Sequence, residues 1–252
     1  MAKRELYDLS DEEFAYFLNE VGRSLNKEDI PYIFVGGTAI QLQILKRLCN
    51  KHDTDISTLS KDKRLQDYIR STDDIDLALS SDVYARRNEI EYASAINKIL
   101  DSLQQELISP SEDHILEYKL IRRGVKRPVF QVSMDGATSD EQLIALNISR
   151  KPEDLKNLES NLYQVFVNEG ERITIPYNSK LSLDVKAIST TNLLATKVSH
   201  FRGKDTMDIV NLVGLMELNN EEPELDKIQE LLQRSYSGNF NRFLGLINKD
   251  QD

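Results

Sequence analysis

The chain has 252 residues, 40% hydrophobic and 29% charged, the composition of an ordinary soluble protein with room for one large domain or a main domain plus an appendage. Its net charge of −10 excludes a global basic field for nucleic acid, so such a substrate needs a local basic patch. No apolar run approaches the roughly 18–20 residues of a membrane span, the opening Met-Ala-Lys-Arg-Glu-Leu lacks a signal peptide's apolar core, and the single cysteine, Cys49, excludes an internal disulfide; a cytoplasmic protein is expected.

Ser10 followed by Glu13 reads as a capping box, and Phe14, Phe17, Leu18, Val21 and Leu25 follow at helical spacing, so a first helix is expected to end near Leu25. Pro31–Val35 reads as a short buried strand and Thr38–Cys49 as a helix with apolar Ile40, Leu42, Ile44, Leu45 and Leu48. Residues 50–69 are polar and irregular and read as a loop or mobile insertion. A strand carrying Asp74 and Asp76 follows, then a long helix over 83–107 with its stripe at Tyr92, Ile96, Ile99, Leu100, Leu103 and Leu107.

Ile115–Arg122 and Pro128–Met134 flank Arg123-Gly124 and read as a hairpin, and Leu143–Ser149 is a third run. Residues 163–176 read as another strand pair, turning at Glu169-Gly170-Glu171. From Thr190 the period becomes helical again, over 191–201, 206–218, 225–233 and 240–247, with Glu-Glu-Pro at 221–223 opening the third of these. The expected fold class is α+β: a mixed sheet with flanking helices over 1–187, interrupted by the 50–69 insertion, then a C-terminal helical region over 188–252. Two local basic clusters stand out, Arg122, Arg123, Lys126 and Arg127 at the hairpin tip and Lys197, Arg202 and Lys204 near the C-terminal helices. The first also reads simply as a solvated turn.

Two motifs carry chemistry. In Ile33-Phe34-Val35-Gly36-Gly37-Thr38-Ala39 a glycine pair sits where a strand becomes a helix, which lets backbone approach a ligand closely and leaves helix N-terminal N–H groups free for phosphate; Thr38 adds a hydroxyl. In Asp74-Ile75-Asp76 two carboxylates lie two residues apart on a strand and so share a face. Charges that close repel unless a hard cation lies between them, which is how a protein holds Mg²⁺. Each motif alone is common; the order strand, Gly-Gly, helix, strand with Asp-x-Asp is far more specific.

On these residues the chain resembles nucleotidyltransferases of the polymerase-β type, and more narrowly the abortive-infection-type enzymes that serve as toxins in type IV toxin–antitoxin systems. The matching blocks are Val35-Gly36-Gly37-Thr38-Ala39, then Arg70-x-Thr72-x-Asp74-Ile75-Asp76-Leu77, and Leu193-Leu194-Ala195-Thr196-Lys197 followed by Arg202-Gly-Lys204-Asp205-x-x-Asp208-Ile209. The resemblance implies Mg²⁺-dependent transfer of a nucleotidyl group from an NTP to an acceptor hydroxyl, on a tRNA end, a protein or a small molecule. It implies that Asp74 and Asp76 hold two Mg²⁺ ions, that Gly36, Gly37 and Thr38 cradle the triphosphate, and that Lys197, with Arg202 and Lys204, meets phosphate charge. A toxin role implies an antitoxin partner.

Lys197 follows Leu193 and Leu194 at i+4 and i+3 and so shares their inward face, where it needs an anionic partner; periodicity allows equally a lysine snorkelling at the edge of the stripe. Asp208, with Asp205 similarly placed, orients Lys197 or an acceptor, or caps the next helix; the resemblance favours the site role. His200 reads as a helix-surface residue. Two departures from the family pattern stand out. Residues 50–69 lengthen the connection between the motifs, and the strand aligned beside Asp-x-Asp offers Asn147, not the acid commonly found there. An amide ligates Mg²⁺ weakly and cannot act as a base. Glu117 and Asp135 are the substitutes on offer. The alternative to an active enzyme is therefore a weakened member of the same fold that binds nucleotide or protein. A P-loop ATPase is unsupported, since there is no Gly-x-x-x-x-Gly-Lys-Ser/Thr, and His52, His114, His200 and Cys49 are too scattered for an ordinary zinc site.

Overall fold

The computed structural model describes residues 12–27, 29–62, 68, 72, 74–79, 117–122, 128–133, 143–148, 166–233 and 237–248; Ser10 and the helix expected over 83–107 lie outside the described residues. Among the described residues, strands β1 (Tyr32–Val35), β2 (Asp74–Leu79), β3 (Glu117–Arg122), β4 (Pro128–Ser133), β5 (Leu143–Ile148), β6 (Glu171–Pro176) and β7 (Ser182–Ala187) form one sheet in the order β3-β4-β5-β2-β1-β7-β6. The pairs β1–β7 and β2–β5 are parallel and the others antiparallel, so the sheet is mixed, as expected for this α+β chain. The helices are α1 (Glu12–Lys27), α2 (Gly36–His52), α3 (Ile56–Leu59), α4 (Thr190–His200), α5 (Gly203–Leu218), α6 (Leu225–Gln233) and α7 (Ser237–Ile247).

Burial follows the apolar spacing. Phe14, Phe17, Leu18, Val21 and Leu25 form the inner stripe of α1, which packs on β7. All four residues of β1 are buried, the pattern of a central strand covered on both faces. The side chains of α4 to α7 join the same apolar cluster as those of α1, α2 and β1, so the helical C-terminal part shares one core with the sheet. The change from strand to helix falls between Ala187 and Thr190, where Ser189 caps α4 by accepting from the Asn192 N–H.

Two sequence expectations are corrected. Residues 50–62 are not a loop: α2 runs on to His52, Asp53 closes it in the left-handed conformation, and α3 follows with the Asp55 carboxylate accepting from the Thr58 N–H at 2.8 Å. Ile56 and Leu59, three apart, bury this short helix. Its polar flanks hid it, because polar residues at a helix end are exposed as readily as those of a loop. Nor do the described residues of the strand pair expected over 163–176, which begin at 166, form one. Residues 166–168 are helical with Phe166 and Val167 buried, and β6 pairs instead with β7. The turn between them lies at Asn178, whose side-chain oxygen accepts from the Lys180 and Leu181 N–H groups at 2.8 Å each. Gly170 is a glycine for packing rather than for turning, since a Cβ there would lie 2.3 Å from Ile33 Cγ2.

A buried polar network ties α2 to the C-terminal helices. Arg47 donates to Gln43 Oε1 at 2.9 Å, to Thr190 Oγ1 at 3.0 Å and, through Nε, to Glu221 Oε2 at 3.0 Å. Gln43 in turn donates to the Ile188 carbonyl at 3.1 Å. A buried guanidinium needs such partners, because an unpaired one would cost several kcal/mol in desolvation. Further along α2, Lys51 Nζ donates to the Leu218 carbonyl at the end of α5, at 2.7 Å. Lys51 and Leu218 each lie in the last turn of their own helix, so α2 and α5 pack together and meet at their C-terminal ends.

Cys49 is buried in α2, and burial, with a smaller contribution from the Asp55 charge, pushes its thiol pKa up to about 12. At pH 8 a thiol reagent is expected to leave the native protein unlabelled for as long as it stays folded, and to label it quantitatively in denaturant. Because the folded pKa is raised, this thiol's contribution to stability is complete below the unfolded value of about 8.5 and is lost as pH climbs toward 12. Denaturant midpoints taken across that alkaline range check the sign.

Candidate active site

The strand β1 ends at Val35, and the chain turns at Gly36 with φ +64° before entering α2. Val35 is the register partner of Asp76 on the antiparallel neighbour β2. That pairing lays the Asp76 side chain over Gly36: a Cβ on Gly36 would lie 2.1 Å from Asp76 Oδ2 and 3.0 Å from its Cγ. Glycine is thus required twice, for a backbone conformation that L side chains rarely adopt and for the close approach of a carboxylate. Asp76 is half-buried, and no side chain of the N-cap residue Val35 caps the start of α2. A carboxylate and a helix N-terminus therefore face one another at the end of β1.

Asp74 lies two residues earlier on β2. The parallel partner strand places Ala145 at its register position and Asn147 opposite Asp76. Asn147 therefore occupies the place beside the Asp-x-Asp strand, as the alignment of the sequence expects. Glu117 does not substitute for it: β3 is three strands away from β2, about 14 Å across the sheet at roughly 4.8 Å per strand, and Glu117 pairs with Ser133. Asp135 lies outside the described residues, as do Arg123, Lys126 and Arg127 of the first basic cluster; Arg122 closes β3 opposite Pro128.

Gly36 and Gly37 are half-buried, but Thr38 is fully buried and its hydroxyl has no hydrogen-bond partner among the described residues. Of the expected phosphate cradle, the two glycines are reachable from solvent in this conformation and the Thr38 hydroxyl is not.

The third sequence block folds into a corner. Helix α4 ends at Phe201, whose left-handed φ of +46° turns the chain into α5; its N–H donates to the Lys197 carbonyl and its ring lies 4.2 Å from the Arg242 guanidinium carbon. The corner brings Lys197 against two residues three apart on α5, Asp205 and Asp208. Lys197 Nζ lies 2.7 Å from Asp208 Oδ2 and 3.5 Å from Asp205 Oδ1, and its side chain is only 5% exposed. The alternative left open by periodicity is thereby decided: Lys197 points inward, and its anionic partners are Asp208 and Asp205 of its own chain. His200 is exposed, as expected of a surface residue.

Arg202 completes the cluster. Its backbone N–H and Nε donate to Asp205 Oδ2 at 3.0 and 2.7 Å, and Nη2 donates to Oδ1 at 3.2 Å. Burial pushes the Asp205 carboxyl up, but its bonds to Arg202 and the Lys197 charge outweigh that and hold it below the usual carboxylate range. The Arg202 pKa is raised, first by the Asp205 hydrogen bond, against the opposing effect of burial, and then by the charges of Asp205, Asp208 and Asp76. The last of these places the start of α5 within electrostatic reach of Asp76. Lys204, in the first turn of α5, is exposed beside it. Asp205, whose bonds to Arg202 close a capping box, is the residue of this cluster that sequence periodicity leaves without a definite part; the Arg-x-x-Asp spacing at 202–205 was its signal.

The Asp76 carboxylate on β2, the glycine turn into α2 and the cationic start of α5 thus lie at one end of the sheet. Such a place suits a polyanion bound through a hard cation. Among the described residues no group of three or more His, Cys, Asp or Glu side chains is arranged to hold a metal. No described helix is long and apolar enough to cross a membrane.

No protein-family model and no curated protein matches the sequence. Among solved structures, the chain is similar to an antigenic nucleotidyltransferase-like protein from Paracoccidioides brasiliensis, at 19% identity over 95% of each chain and a TM-score of 0.44. It is also similar to the antibiotic-resistance factor ANT(2'')-Ia, at 10% identity over 96% of this chain and 98% of that one, with a TM-score of 0.36. A third is terminal uridylyl transferase 4 from Trypanosoma brucei with bound UTP, at 11% identity over 98% of this chain and 68% of that one, with a TM-score of 0.29. Likenesses this low decide nothing about chemistry, which rests on the residues of the site itself.

Proposed function

We propose that this protein is a Mg²⁺-dependent nucleotidyltransferase that moves a nucleotidyl group from an NTP to an acceptor hydroxyl. The observation that carries this reading is the Asp76 carboxylate seated over Gly36 at the start of α2, with Asp74 two residues away on the same strand. Adjacent carboxylates repel in the absence of a cation, and a glycine held at positive φ beneath one of them leaves room for that carboxylate to lie against the start of α2. These features fit Mg²⁺ held by Asp74 and Asp76, which when bound would polarise the phosphoryl oxygens and favour the attacking hydroxyl. The protein's own residues do the rest. The Gly36 and Gly37 backbone receives phosphate at the α2 N-terminus, and Arg202 and Lys204 offset triphosphate charge from the start of α5. Lys197, held by Asp208 and Asp205, fixes the corner that presents them. A toxin role with an antitoxin partner follows from the motif resemblance and is tested by whether a neighbouring gene neutralises the protein; a reducing cytoplasm follows from the single cysteine.

One observation favours a second reading. Asn147 stands opposite Asp76, and an amide there cannot take a proton from the acceptor, which points to a weakened member of the fold that binds nucleotide without fast transfer.

Thermal unfolding with each NTP, with and without Mg²⁺, tests both. Ligand at about 100 times its dissociation constant stabilises by roughly 2.7 kcal/mol, or about 5–10 °C in Tm for a chain of this size. A Mg²⁺-dependent shift for at least one NTP, lost in Asp74→Ala/Asp76→Ala, is expected. Incorporation of labelled nucleotide into acceptor then separates enzyme from binder. No shift with any NTP would overturn both readings.

A further inference from the structure

Asp205 is an unusual carboxylate for a surface corner. It is fully buried, yet it spends both oxygens on Arg202, whose side chain is 55% exposed. Three donors of one residue converge on it, the backbone N–H, Nε and Nη2. A capping role needs only the first of these, as in an ordinary N-terminal box. The remaining two form the planar fork that locks a guanidinium in one orientation. Lys197 and Asp208 behind it balance the charge, so the cluster of two cations and two carboxylates is neutral and Asp205 cannot swing away without stranding a buried charge. α2 and α5 meet at their C-terminal ends through Lys51 and the Leu218 carbonyl, and the Asp76 carboxylate that lies over Gly36 also acts electrostatically on Arg202, so the two helices run in the same direction with the Arg202 end of α5 toward the Gly36 end of α2.

We propose that Asp205 is a positioning residue, whose buried carboxylate clamps the Arg202 guanidinium at the end of the molecule where α2 and α5 begin, so that the fork meets the phosphates of the bound nucleotide already oriented. This rests on the nucleotidyltransferase reading and deepens it, since it assigns a task to a residue that touches neither nucleotide nor metal. Holding the fork in place removes side-chain entropy before binding, so the benefit shows as affinity for the triphosphate.

The test is a set of dissociation constants for Mg²⁺–NTP, measured on wild type, Arg202→Gln, Arg202→Lys, Asp205→Asn and the double variant Arg202→Gln/Asp205→Asn. Arg202→Gln is expected to weaken binding by about 10–100-fold, the range of a lost charge-assisted hydrogen bond. Asp205→Asn should weaken it comparably, and the double variant no further, because the two act through one contact. Arg202→Lys keeps the charge but not the fork and should bind like Arg202→Gln; its exposed position makes it informative even if Asp205→Asn fails to fold. Wild-type affinity in Arg202→Lys, or in folded Asp205→Asn, would overturn the clamp while leaving the proposed function standing. If wild type itself binds no NTP with Mg²⁺, the functional reading falls and takes the clamp with it.

Discussion

Lys197→Ala is expected to lower unfolding stability by about 3–5 kcal/mol, the cost of removing one partner from a buried ion pair. The reason is what it leaves behind. Asp208 and Asp205 are 2% and 0% exposed, and the substitution removes the ammonium that lies between these two buried carboxylates. The sign of the repair is as informative as the loss. Lys197→Met/Asp208→Leu deletes one cation and one anion together, keeps Arg202 paired with Asp205, and is expected to recover most of the stability, since replacing a whole buried pair by apolar groups is often neutral. Urea unfolding of the three proteins reads both numbers. A loss under about 1 kcal/mol for Lys197→Ala would mean that the ammonium sits in water, contrary to the geometry.

Gly36→Ala is expected to strike stability and function at once. A non-glycine residue held at positive φ costs about 1–3 kcal/mol, and the added Cβ would lie 2.1 Å from Asp76 Oδ2, so either the α2 entry or the carboxylate must move. Displacing Asp76 removes a ligand from the proposed Mg²⁺ pair. The Mg²⁺-dependent NTP stabilisation should therefore vanish even at temperatures where the variant is folded. Gly203→Ala is the control: Gly203 opens α5 at the other helix start, and a Cβ there meets nothing within 4 Å. It should change Tm and NTP response little. A Gly36→Ala protein that keeps the full NTP response would show that Asp76 and Gly36 do not share a site.

How much of this was written in the sequence depends on the range of the interaction. Helical stripes such as Phe14 to Leu25 and the Asp-x-Asp strand are local patterns, and periodicity alone reads them because neighbours at fixed spacing must share a face. The strand after Asn178 was missed because Gly170 looked like a turn; that glycine answers to Ile33, more than a hundred residues away, and no local rule can see such a contact. Likewise the polar stretch at 50–62 hid a helix end and a capped turn, since polarity reports exposure and not conformation.

At the site the same division holds. The two carboxylates and the two glycines were legible from spacing, while the part of the cations and the acid expected in the place of Asn147 came from the family resemblance. Whether Lys197 faced phosphate, solvent or its own chain was not, because a helical stripe says only which face is inward and not what waits there. Only the tertiary structure decided it. The αL turn at Phe201 folds α5 back so that Asp205 and Asp208 meet the ammonium, and the parallel run of α2 and α5 brings Arg202 toward Asp76. By itself the sequence determined which chemical groups this protein owns and which secondary elements carry them. Which of those charges neutralise one another, and which are left to meet a ligand, depends on distances between segments remote in the chain, and packing alone sets those distances.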